Sequence, residues 1–280
     1  MRHFFFIRLL TAASLLSIPA IGETEDPARE DSELSAKRLA LMKERISAVK
    51  VSAQEDGFPE QFAVEPIFRY SDPARTYVAA ALWKLGDTGR PRAIIATELR
   101  RQLFGGPRIL YEHLSLTPTK FSARGGDVNW SPSESALEFK PVPDAPVPED
   151  STQRRLLQLR TMAKRFSGYE VLAKERYELR LLSQPIDRYV PSSAEGADGA
   201  LFLLTYGTNP EIALFLESDG KAWSFAAGRL AGAGKIELTI DDKAVWQGPP
   251  VRNGVNSTYT ASNAPVNIPG IAPDGSELVE

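Results

Sequence analysis

Apolar positions along the chain fall into two helical stripes and a series of short alternating runs. From Ser32 to about Ala53, Leu39, Met42, Ile46 and Val49 recur at steps of three and four, the spacing that lines one face of a helix. Asp31 or Ser32 is placed to cap it by accepting a backbone N–H bond. A second stripe of the same spacing, Leu156, Leu159, Ala163 and Phe166, predicts another helix from about residue 151. After Gly57 and Pro59 the runs shorten and turn residues separate them, as in antiparallel strands. One hairpin is predicted from residues 77–85 and 93–99 around a Gly/Pro loop at 86–91, and a second from 200–206 and 211–217 around 207–210. Further strands are expected at 108–116, 136–140, 177–182, 222–230 and 235–246.

The two stripes belong to a longer recurrence. Arg38, Leu39, Met42, Ile46 and Val49 are matched 117 positions later, and Pro66-Ile67-x-Arg69-Tyr70 returns 119 positions on as Pro185-Ile186-x-Arg188-Tyr189. The same offset carries Pro91 onto Pro210 and Glu98 onto Glu217. This predicts a tandem duplication. The expected fold class is α+β, each half one amphipathic helix laid across a four- to five-stranded antiparallel sheet, by analogy with cystatin-like or NTF2-like halves. The halves span residues 32–140 and 151–247. Between them, 141–150 is a Pro-rich extended linker, and the tail at 248–280, rich in Gly, Pro, Asn and Ser, is expected to be disordered.

Composition adds a location. Arg2 and Arg8 precede an uncharged run of 12 residues from Leu9 to Ala20, and small residues lie before Glu23. That is the layout of a signal peptide at 1–22, too short to span a bilayer, followed by a flexible acidic segment at 23–31. The reading is an exported chain, periplasmic or extracellular after cleavage near Gly22, with no transmembrane segment. The chain has no cysteine, which removes disulfides, thiol catalysis and thiolate metal sites. Removing the signal leaves 31 basic against 36 acidic residues, and this modest acidity speaks against nucleic acid as a partner.

Candidate chemistry is sparse. His113 is the single histidine beyond the signal, and no Gly-x-Ser-x-Gly elbow accompanies it, so a Ser-His-Asp triad is not expected. On a strand, Tyr111 and His113 share one face and Glu112 takes the other. Asp241-Asp242 reads as a turn rather than a calcium loop, and no metal or other cofactor is expected. Glu98 and Glu217 are the candidate catalytic pair if they face each other across a groove, as a carboxylate-only glycosidase requires. The competing reading makes them structural, Glu98 paired with Arg69 and Glu217 with Arg188. Arg154, Arg155, Arg160, Lys164 and Arg165 on the second helix form a candidate face for an anionic partner.

The motifs Arg155-Leu156-Leu157-Gln158-Leu159-Arg160, Tyr177-Glu178-Leu179-Arg180-Leu181-Leu182 leading to Pro185-Ile186-x-Arg188-Tyr189, Asp198-Gly199-Ala200-Leu201-Phe202 and Gly207-Thr208-Asn209-Pro210-Glu211 resemble a family of exported bacterial proteins of unknown function. The resemblance covers most of the mature chain, is densest over 150–250, and implies no activity. The expectation is an exported, non-catalytic binding or structural module of the cell envelope whose partner is an envelope protein or glycan. The alternatives are the carbohydrate hydrolase using a groove between the halves and a small-ligand cavity protein.

Overall fold

A computed structural model describes residues 27–278, so the signal segment expected at 1–22 lies outside the described residues. The segment expected to be flexible at 23–31 is divided. Residues 23–26 lie outside, whereas 27–31 open the first helix, α1, Pro27–Ser47. That helix starts and ends earlier than the apolar stripe suggests, because Val49 and Val51 pass into a strand, β1, Lys50–Ala53.

Strands then dominate: β2, Phe68–Asp72; β3, Tyr77–Leu85; β4, Ala93–Leu103; β5, Gly106–Ser115; β6, Phe121–Gly125; β7, Val128–Trp130; and β8, Lys140–Pro141. The second helix, α2, is Thr152–Ala163, capped by Ser151, whose hydroxyl accepts from the Arg154 N–H. After it come β9, Phe166–Leu172; β10, Glu175–Leu181; β11, Asp187–Tyr189; β12, Ala197–Tyr206; and β13, Asn209–Asp219. The last are β14, Trp223–Arg229; β15, Lys235–Ile240; β16, Lys243–Gln247; and β17, Tyr259–Pro265.

All pairings are antiparallel. Five strands form a sheet in the order β17-β5-β4-β3-β2. Nine form a second, curled sheet, β16-β15-β9-β10-β12-β13-β14-β8 with β11 also on β12, and β1-β6-β7 make a small third one. The meander β2 to β5 and the meander β11 to β14 follow the same neighbour order.

Three apolar layers hold these sheets together. On the outer side of the five-stranded sheet, Met42 and Ile46 of α1 pack with Trp83, Ile95, Phe121 and Trp130. On the outer side of the nine-stranded sheet, Leu159 and Met162 of α2 pack with Phe202, Leu214, Phe225 and Leu238. Between the two sheets, Leu82, Ile94 and Leu114 of the first meet Leu201, Leu203 and Phe215 of the second.

This architecture corrects the expected fold class. Two α-helices against seventeen strands among the described residues make a predominantly β molecule, not two helix-on-sheet halves of the cystatin or NTF2 kind. The reason lies in β4 and β13, whose residues are buried on both faces. One helix covers only one face, so each sheet takes the other sheet as its second cover. Residues 136–140 are largely irregular, with only β8 paired to β14. The Pro-rich stretch is likewise no free spacer, since Val142 is buried in the outer layer over α2. Nor is the tail disordered across its length: β17 pairs residue by residue with β5, Tyr259 opposite Leu114 through Pro265 opposite Arg108.

Because the middle layer draws on both sheets, the chain should unfold as one unit. In urea, signals from Trp83 and Trp223 are expected to share one midpoint, and Phe215→Ala should lower stability by about 3–5 kcal/mol on both. Separate midpoints would show that the sheets fold independently.

Candidate functional site

Two matching hydrogen bonds cross the meanders. Tyr70 Oη donates to Glu98 at 2.7 Å and Tyr189 Oη donates to Glu217 at 2.8 Å. In each case the tyrosine lies on the outer strand and reaches over one small residue. Tyr70 is opposite Ala80, which is opposite Glu98. Tyr189 is opposite Gly199, which is opposite Glu217. A Cβ on Gly199 would come within 2.5 Å of the Tyr189 ring, so the ring lies flat on the backbone there. The glutamates face inward because side chains alternate along a strand: Ile94, Ala96 and Glu98 share one face of β4, as Ala213, Phe215 and Glu217 do on β13.

The recurring arginines go elsewhere. Arg69 and Arg188 each precede the tyrosine by one residue and therefore point to the opposite side. Arg69 donates to Ser35 Oγ at 3.1 Å, and Arg188 donates to both oxygens of Asp198 at 3.0 and 2.6 Å. The expected pairs Arg69–Glu98 and Arg188–Glu217 are thus replaced by tyrosine contacts.

Glu217 has its cation all the same. Arg90, from the β3–β4 loop, donates twice to its carboxylate at 2.6 Å. The residue 119 positions beyond Arg90 is Asn209, which carries no charge. At that other end of the inter-sheet layer Glu98 is fully buried, and its Oε2 has no hydrogen-bond partner among the described residues. Burial pushes its pKa up to about 7, against the pull of the Tyr70 hydrogen bond.

Three more glutamates collect at the same end: Glu112 from β5, Glu170 from β9 and Glu211 from β13. Arg75 serves two of them. It ends a short 3₁₀ turn, Pro73–Arg75, capped by Asp72, and its guanidinium lies over the Tyr206 ring at 4.5 Å. Nη1 donates to Glu211 at 2.8 Å, whereas Nη2 stays 3.8 Å from Glu170 Oε2, beyond hydrogen-bond reach. Burial, reinforced by the charge of Glu170, pushes Glu211 up to about 8. Glu112 is raised well above the carboxylate range by burial and by Glu98 and Glu211, and burial also raises Glu170.

A pocket of about 420 Å³ opens onto this group between the two sheets. Arg75, Arg100, Glu112, Glu170, Asn209 and Glu211 supply its polar wall, and Phe104, 79% exposed on the β4–β5 turn, stands at its edge. Neither Glu98 nor Glu217 lines it. Among the described residues no group of three His, Cys, Asp or Glu side chains could hold a metal ion.

The remaining candidates are dispersed. His113 is buried against Trp130, its Nδ1 is 3.3 Å from the Thr260 carbonyl, and burial pushes its pKa down to about 4. Of the five cations on and just after α2, Arg155 turns inward to Asp198 at 3.0 Å. Arg165 pairs with Asp241, Arg154 with Glu149, and Arg160 donates to Gln184. Only Lys164 among the five is exposed without a side-chain partner of this kind; the other four are engaged in these local contacts. Sequence reasoning passed over Arg75, Glu170 and Glu211. The available signal was Glu211, a charged residue just ahead of the apolar run Ile212–Leu216.

Two measurements follow from these contacts. In double-mutant cycles, Arg90→Ala with Glu217→Gln should show coupling of about 1–2 kcal/mol, moderated because Arg90 is a third exposed, and Arg188→Ala with Glu217→Gln should show less than about 0.5 kcal/mol. A carboxyl whose pKa is raised by folding binds more protons folded than unfolded, so its contribution declines as pH climbs from 4.5 through about 7 for Glu98 and about 8 for Glu211. His113, lowered by folding from 6.5 to about 4, works in the opposite direction below 6.5. The urea midpoint is therefore expected to fall between about pH 6.5 and 8, and Glu211→Gln should flatten the fall. No protein-family model, curated protein or solved structure matches the chain.

Proposed function

We propose that the chain is an exported, non-catalytic binding module of the cell envelope that holds a small polar ligand in the pocket between its two sheets. Export is supported by the N-terminal pattern of charge, apolar run and small residues. Binding is supported above all by two residues of the pocket wall, Glu170 and Asn209, each of which carries a buried polar atom, Oε2 and Oδ1, with no hydrogen-bond partner among the described residues. Such an atom left unmatched costs about 1–3 kcal/mol, and a ligand donor would relieve it. Phe104 adds a flat apolar surface at the mouth, suited to stacking on a sugar ring of an envelope glycan. The hydrolase alternative that used Glu98 and Glu217 loses geometric support, since neither carboxylate lines this pocket.

The experiment is ligand-observed NMR on residues 23–280 with a panel of neutral sugars, amino sugars, amino acids and polyamines. At least one class should bind the native chain and lose binding on Ala233→Trp, which fills the exposed pocket edge. If the whole panel fails to bind, or Ala233→Trp binds as well as the native chain, the pocket is not a ligand site.

A further inference from the structure

The two ends of the inter-sheet layer differ in one respect that points to the ligand. Each has an inward glutamate held by a tyrosine, but only Glu217 also accepts hydrogen bonds from an arginine. At the Glu98 end, Asn209 occupies the place in sequence that corresponds to Arg90, and the pocket opens beside it. We propose that this pocket binds an organic ammonium group set beside an oxygen, such as the amine and neighbouring hydroxyl of a hexosamine, and that this group supplies the hydrogen-bonded cation that Glu170 lacks. The proposal rests on the binding reading above and names its ligand class.

The arginines already present do not fill that role. Arg229 donates to the carbonyl oxygens of Ala231, Ala233 and Gly234. Arg100 donates to the carbonyl of Arg75 and lies over the Tyr77 ring at 4.5 Å. Arg75 hydrogen-bonds to Glu211 alone among the four glutamates. These arginines attract the glutamates through space, but only Glu211 among the four accepts an arginine hydrogen bond.

The unpartnered atoms match such a ligand. Asn209, 7% exposed, offers an acceptor, its Oδ1, and the hydrogen bond from Nδ2 to Glu211 at 3.0 Å fixes the orientation of the amide. Glu170, 3% exposed, offers Oε2. An ammonium carries three donors and no acceptor. Arg100, which also lines the pocket, carries a further buried and unpartnered donor, its Nε, for an oxygen of the ligand. An inorganic cation is the poorer fit, since it needs several oxygens within about 2.6 Å and no three acidic or histidine side chains among the described residues are so placed. Tyr77 and Tyr259 complete the titratable surroundings, and burial raises both hydroxyls above their usual range, which leaves them neutral. Burial raises the carboxyl pKa of Glu98, Glu170 and Glu211, so a cation bound beside them should release protons.

Isothermal titration of residues 23–280 with glucosamine, N-acetylglucosamine and glucose at about pH 7.5 tests this. Glucosamine should bind about tenfold or more tightly than either neutral sugar, with proton release detected as a dependence of the apparent enthalpy on buffer. Ala233 is exposed at the pocket edge, where substitution leaves the core intact. Ala233→Lys should weaken glucosamine about fivefold or more, and Ala233→Glu should not weaken it. Equal binding of glucose and glucosamine, or indifference to Ala233→Lys, would overturn the cationic ligand and leave the pocket reading standing. If none of the three sugars binds at about 10 mM while another member of the NMR panel does, the hexosamine class is overturned; silence across the whole panel overturns both readings.

Discussion

The contact between the inner faces of the two large sheets is the constraint on which the rest of the molecule depends. Ile94, Ala96 and Leu114 on one side and Leu203, Ala213 and Phe215 on the other exclude water from a layer that belongs to neither sheet alone. The same strands that deliver those apolar side chains continue one step further and deliver Glu98 and Glu217 to the edges of that layer. Carboxylates placed there must find a cation, a hydrogen-bond donor or a proton. Both glutamates take a tyrosine hydroxyl. What completes the environment differs: Glu217 also accepts from an arginine, whereas burial raises the pKa of Glu98, and the pocket lies at the Glu98 end.

Much of the strand pattern was legible. β3 begins and ends where the apolar run and the Gly/Pro loop place it, and both hairpins are present. The fold class was not legible, because an apolar run reports that a strand is buried without reporting what buries it. Thr97 illustrates this: it reads as a polar, outward residue, yet it is buried and accepts from the Trp83 indole at 2.8 Å. β17 was hidden for a related reason. Tyr259, Ala261 and Asn263 make a weak alternation, and the strand exists through its pairing with a partner some 150 residues away in sequence.

The candidate site was half visible. The recurrence of Pro-Ile-x-Arg-Tyr and of Glu98 at Glu217 located the right strands, but it drew attention to the charged pair of residues when parity along the strand selects the tyrosine. The small residue between tyrosine and glutamate, Ala80 in one place and Gly199 in the other, was an equally available clue, since only a short side chain lets an aromatic ring pass over the intervening strand. Arg75, Glu170 and Glu211 come from elements far apart in the chain, and their convergence depends on how the sheets face each other, which local patterns do not encode.

Placing β17 on the edge of the first sheet also fixes an order of events during synthesis. A ribosome releases residues 68–115 long before 259–265, so the growing chain carries β5 with one row of backbone donors and acceptors unmet until the final stretch emerges. Contacts of such long sequence separation make folding slow, and an incomplete sheet edge is a surface on which other chains can pair. The arrangement therefore makes closure of the first sheet's edge a late event, one that waits on residues 259–265.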